Sequence, residues 1–162
     1  MNIWGILKLV KPKDIWSLFR LLLRFPLFAY PTINATLKCI RLSNQYFGRG
    51  HHKNNASNAF RHALWNYLII IECEEWTKEV HKAIQWAELI TNWHENFSPN
   101  KDLARAMDLH NNQVGRNLFR FHNDRSIEEG IAHLMELVPH STKISNIEDL
   151  KNYTDHLVHI TD

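Results

Sequence analysis

Apolar residues recur along this chain three to four positions apart over most of its length, and runs that alternate apolar with polar are scarce. That pattern predicts an all-α fold, a compact bundle of about six helices. The first spans about Asp14 to Phe25 and stops before Pro26, which cannot continue it. A second covers Thr32 to Tyr46, and FGRGHHKNNASN after it is the one clear loop. The third spans Asn58 to about Glu72, capped by Ser57 or Asn58, and the fourth runs from Glu74 to Glu95. NFSPN breaks the chain, with Ser98 as N-cap and Pro99 at the first helical position. The fifth helix is expected from Pro99 to about Phe121 and the sixth from Ser126 to Val138. Beyond Pro139 the pattern allows a short strand and a helix over Ile147 to Val158. The 162 residues are enough for one domain with its own core. Within it, 1–50 form basic amphipathic N-terminal helices, 55–121 a three-helix core, and 122–162 a C-terminal helix and tail.

Charge changes this picture at one end. Residues 1–50 hold eight lysines and arginines against the single acid Asp14, a net of +7, so the other 112 residues carry −5. On the first helix Lys13, Ser17, Arg20 and Arg24 form a narrow polar stripe at i, i+4, i+7 and i+11, and apolar residues cover the rest. Such a helix either packs into the domain or lies in a bilayer interface with its arginines among headgroups. An anionic membrane surface is therefore the expected partner of residues 1–30. A spanning segment is not expected: IWSLFRLLLRFPLFAY has 16 residues, two arginines and a proline, where a span takes roughly 20 apolar residues. MNIWGILKLVKPKD lacks the basic start and small-residue cleavage site of a secretory signal. The expected location is cytoplasmic, peripheral to the inner face of the membrane. Nucleic acid is the weakest partner class, because the basic end carries no recognised binding motif. Cys39 and Cys73 form neither a disulfide framework nor a CxxC site and are expected as buried thiols.

Candidate chemistry lies where residues oppose local propensity. MDLHNNQVGR, residues 107–116, sets Asp, His, two Asn and Gly inside a predicted helix, and each of these costs helical stability relative to Ala. On the third helix Asn58, His62 and Asn66 share one face, with Arg61 and Trp65 beside them. His94 and Glu95 stand in the last turn of the fourth. On the fifth, His110 takes a place in the apolar stripe of Leu103, Met107, Val114, Leu118 and Phe121, and Asp108, Asn111, Asn112 and Gly115 run along the neighbouring face. Short connections make these three helices neighbours, so the polar groups can meet in one buried network. His62, His94, Asp108 and His110 are the candidate metal ligands, a mixture of imidazole and carboxylate that suits Zn, Mn or Fe. Glu95 or Asp108 is the candidate ligand or general base, and Arg61 or Arg116 the candidate to neutralise a phosphate. Trp65, Asn66, Asn111 and Asn112 are the candidates to contact a small-molecule or lipid substrate. The competing expectation is structural: buried histidines and asparagines commonly satisfy one another, and Arg116 commonly faces solvent. His51 and His52 are expected to be exposed, and His156 and His159 to form no site.

NAFRHALWN, HE and MDLHNNQVGR, in this order and spacing, resemble a bacterial domain family of unknown function, seen as small stand-alone proteins and at the ends of secreted, toxin-like polypeptides. The resemblance covers roughly residues 55–120 and is most specific in MDLHNNxxGR. It falls on Phe60, Arg61, His62, Ala63, Trp65 and Asn66, on His94 and Glu95, and on Met107, Asp108, His110, Asn111, Asn112, Gly115 and Arg116. It implies a site without naming its chemistry. The order of histidine, histidine–acid and aspartate also looks loosely like the HD-type metal phosphohydrolases, although Glu95 stands where they have Asp and Asp108 follows too closely. The reading that results is a metal-dependent hydrolase of a phosphoester or phospholipid at a membrane surface. The alternative is a non-catalytic helical module, membrane-associated or protein-binding, with a structural buried network.

Overall fold

A computed structural model describes residues 12–48, 50–97, 101–121 and 126–161; of His52 and Phe97 it describes the backbone alone. Six α-helices lie among the described residues: α1 Pro12–Arg24, α2 Ala29–Phe47, α3 Ala56–Thr77, α4 Val80–Phe97, α5 Asp102–Phe121 and α6 Ile127–Leu137. Two residues of β1, Thr142–Lys143, pair in parallel with two of β2, Val158–His159. The all-α class and the short C-terminal strand expected from the sequence are both present. The expected helix over Ile147 to Val158 is instead a 3-10 turn, Ile147–Asn152, followed by a bend over 154–156 and the strand β2.

α3 is the axis of the bundle. It packs against α2, α4, α5 and α6, and Phe60, Leu64, Tyr67, Leu68 and Ile70 on it are fully buried. A helix apolar on most of its girth must be enclosed in this way. Asn55, not Ser57 or Asn58, is its N-cap: the Asn55 side chain accepts from the Asn58 amide. α3 also runs past Glu74, where a separate helix was expected to begin, and ends at Lys78 in a left-handed conformation (φ 59°). The Lys78 amide closes the last turn on the Glu74 carbonyl. The start predicted for α5 at Ser98 and Pro99 lies outside the described residues.

α1 crosses α4, where Trp93 Nε1 donates to Ser17 Oγ at 2.9 Å. Phe25 and Phe28 turn the chain against Trp86, which is fully buried. α2 then runs along α3, tied by Trp65 Nε1 donating to Thr36 Oγ1 at 2.9 Å and by a Lys38–Glu72 ion pair. Cys39 and Cys73 are buried free thiols. Ile144 and Val158 close over Met107 of α5 as a small second cluster. Among the described residues no helix is long and apolar enough to cross a membrane.

Candidate functional site

Gly115 explains how two polar helix faces come together. A Cβ there would stand 2.0 Å from the Ala63 carbonyl oxygen and 2.9 Å from the Ala63 Cα. Only glycine allows α5 to lie so closely on α3. The contact sets His62 and Asn66, one turn apart on α3, against Asp108 and Asn112, one turn apart on α5. Glu95, in the last turns of α4, reaches the same place. His62, Asn66, Glu95, Asp108 and Asn112 are all buried.

His62 is the hub. Its Nδ1 lies 3.3 Å from Asn112 Oδ1 and 3.5 Å from Glu95 Oε1. Its Nε2 lies 2.9 Å from Arg61 Nη2 and 3.3 Å from Asp108 Oδ1. A guanidinium only donates, so Nε2 accepts from Arg61 and the proton resides on Nδ1, donated to Asn112. Burial, then the charge of Arg61, holds the His62 pKa well below its ordinary value, so the ring is neutral. Asn112 spends each of its groups here: Oδ1 also accepts from Asn66 Nδ2 at 2.7 Å, and Nδ2 donates to Glu95 Oε1 at 3.3 Å. Asn66 Oδ1 in turn accepts from Thr91 Oγ1 at 3.2 Å and from Arg116 Nη1 at 2.8 Å. The chain of hydrogen bonds therefore runs from His62 through both asparagines to Arg116.

Glu95 is less well provided for. Its Oε2 is buried without a hydrogen-bond partner among the described residues, an arrangement that costs roughly 1–3 kcal/mol if nothing else meets it. Burial, then the charge of Asp108, pushes its pKa up to about 8, against the pull of Asn112, Arg61 and Arg105. One ligand atom each from His62, Glu95 and Asp108 lie within 4.8 Å of one another. This is the donor set, one neutral imidazole and two carboxylates on three helices, that fits a divalent ion.

The other expected site residues lie elsewhere. His94 is exposed, its ring edge-on to Trp65 at 5.1 Å between centroids. Loss of water on its packed side, then Arg61, lowers its pKa. His110 turns from the cluster to the tail, its Nε2 2.8 Å from the His156 carbonyl. Asn111 also holds the tail: it donates to the Val158 carbonyl at 2.9 Å and accepts from the Val158 amide at 3.0 Å, as a neighbouring strand would. Arg116 is buried, not solvent-facing, with Nη2 2.6 Å from Gln113 Oε1; burial lowers its pKa to about 10, which leaves it cationic. Trp65 is fixed on α2 through Thr36.

Two residues escaped the sequence reading. Arg105 stands one turn before Asp108 and acts electrostatically on Glu95; its spacing of i, i+3 and i+7 with Asp108 and Asn112 was the available signal. His51, expected to be exposed, is fully buried, with Nε2 3.0 Å from Asn44 Oδ1 and its carbonyl accepting from Asn58 Nδ2. The side chain of His52 lies outside the description.

Comparison with curated proteins and with solved structures finds no match. A family model matches residues 19–142, a stretch that holds every residue of the cluster. The chain thus belongs to the family described as a domain of unknown function, DUF6973.

Proposed function

We propose that His62, Glu95 and Asp108 bind a divalent metal ion, and that the protein is a hydrolase of phosphoesters, phospholipid headgroups included. The observation that carries the reading is the convergence of three buried ligand atoms within 4.8 Å, beside a Glu95 carboxylate oxygen with no hydrogen bond among the described residues. A neutral histidine is the form that ligates, and Asn112 plays the part of the outer hydrogen-bonding group that orients two ligands at once. When bound, a divalent ion supplies a polarising charge and lowers the pKa of adjacent water. Glu95 or Asp108 would then take up the proton that attack by water releases. Arg61, half-buried and beside the cluster, meets the negative charge that builds on a phosphoryl oxygen. Arg116 supports the site from behind Asn66.

A second reading rests on one contact. Arg61 Nη2 stands at 2.9 Å from the His62 lone pair that a metal would take, so the cluster also works as a structural network in a non-catalytic module. Metal titration followed by thermal melting separates the two. Zn, Mn or Fe(II) at about a hundred times its Kd is expected to stabilise the native protein by about 2.7 kcal/mol, roughly 5–10 °C in Tm. Asp108→Asn should abolish that shift together with phosphodiester hydrolysis. A wild-type protein that takes up none of these ions in its native state would sink the metal reading and leave the structural one.

A further inference from the structure

The N-terminal helices hold their large apolar side chains toward water. On α1, Ile15, Trp16, Phe19 and Leu23 are exposed, Trp16 at 60% and Leu23 at 64%, although Leu18, Leu21 and Leu22 of the same helix pack on the core. On α2, Tyr30, Ile33, Leu37 and Ile40 stand at i, i+3, i+7 and i+10, one stripe, all exposed. Leu27, in the turn between the helices, is exposed as well. Lys13, Arg20, Arg24 and Arg41 are exposed on these two helices, where Asp14 is the one acid. Two rows of large side chains exposed among the described residues exceed the scattered apolar residues of an ordinary surface.

We infer that α1 and α2 together form a docking surface for an anionic lipid bilayer. The bilayer interface takes up large apolar side chains to the depth of the acyl boundary, and its headgroups pair with flanking arginines. A second copy of the chain is a worse occupant. A two-fold contact lays the same patch on itself and would bring two basic patches, each with Arg20, Arg24 and Arg41, together. The surface is larger than the sequence suggested, since the α2 stripe continues beyond residue 30 to Ile40. It also lies on the side of His94: α1 is held by Trp93 and α2 by Trp65, the neighbours of His94 in sequence and in space. A docked protein would present that side to headgroups, but docking itself does not depend on the metal reading.

Flotation of the full chain with vesicles of phosphatidylcholine, alone or mixed with phosphatidylglycerol, tests this. The wild type is expected to float with the anionic vesicles, less so as salt rises. Phe19→Glu/Leu23→Glu on α1 and Ile33→Glu/Leu37→Glu on α2 should each abolish flotation with Tm unchanged. Arg20→Gln/Arg41→Gln should weaken it about twenty-five-fold at low salt, from about fivefold per basic residue. Glu95→Gln should float like the wild type, so a failed metal experiment leaves this result standing. The inference is overturned if the wild type does not float, if the α2 variant floats as well as the wild type, or if the wild type is a dimer that either apolar variant turns into a monomer.

Discussion

α3, α4 and α5 keep His62, Asn66, Glu95, Asp108, Asn112 and Arg116 away from water, while α1 and α2 hold tryptophan, phenylalanine, leucine and isoleucine out to it. Both regions invert the usual partition, and they differ in how the inversion is compensated. Inside, most polar atoms are paired with one another, so the network holds the α3–α5 crossing in a single arrangement and leaves Glu95 Oε2 and Arg116 Nε without a hydrogen bond among the described residues. Outside, the apolar side chains of α1 and α2 stand exposed among the described residues, and on the docking proposal the compensation comes from a lipid surface. The inner region should thus be sensitive to almost any change, and the outer one nearly indifferent to change in the free protein.

The largest effect should come from the crossing itself. Gly115→Ala drives a methyl group into the Ala63 carbonyl, and α5 can escape only by moving off α3. We expect a loss of about 3 kcal/mol or more in urea unfolding, at the upper end of overpacking changes. The displacement would separate Asp108 and Asn112 from His62, so any metal-dependent Tm shift should vanish with it. A Gly115→Ala protein of wild-type stability would show that the two helices are not so close.

Next in size is the coupling of the two asparagines. Asn66→Ala and Asn112→Ala each orphan buried partners, at roughly 1–3 kcal/mol apiece. Because Asn66 Nδ2 donates directly to Asn112 Oδ1, the double variant should cost less than the two singles together, by about 1 kcal/mol in a double-mutant cycle. Strict additivity would mean that the network is a set of independent contacts.

What could be read in advance follows the same division. The helices were legible because their apolar spacing is regular, and the polar cluster because its residues oppose helix propensity. The inward face of α5 was drawn too narrow: Met107, Val114 and Leu118 of the apolar stripe are buried, the stripe ends at Phe121, 75% exposed, and the line of Asp108, Asn112 and Gly115 is buried as well. Residues that satisfy each other across a crossing can be buried without being apolar, and periodicity of hydrophobic residues does not register that. His110 and Asn111 found partners in a tail segment 46 and 47 residues away, which no local pattern specifies. The α3–α4 break was hidden because EEWTKEV contains neither Gly nor Pro, and a lysine adopts the left-handed conformation. The outer face of α1 was read as amphipathic, but its continuation on α2 depends on which side α3 covers.

The smallest effect on stability, and the closest test of inside against outside, lies on α2 between two residues. Leu37 is 62% exposed and Cys39 2%. Burial pushes the Cys39 thiol up to about 12 from an ordinary 9.0, and Cys73 likewise to about 12. A raised thiol pKa stabilises the folded chain fully below pH 9, and the contribution is lost as pH climbs toward 12; at pH 10 the loss is about 1.4 kcal/mol per thiol. At pH 8 neither native thiol should react with a water-soluble maleimide, and both should react in urea. Leu37→Cys is expected to change stability by less than about 0.5 kcal/mol and to be labelled at once, at the rate of an ordinary exposed thiol. Anionic vesicles should then slow labelling at position 37 and leave Cys39 as silent as before. If the new thiol were already protected without vesicles, the outer face would be covered by the chain itself, and the contrast between the two regions would fail at its outer half.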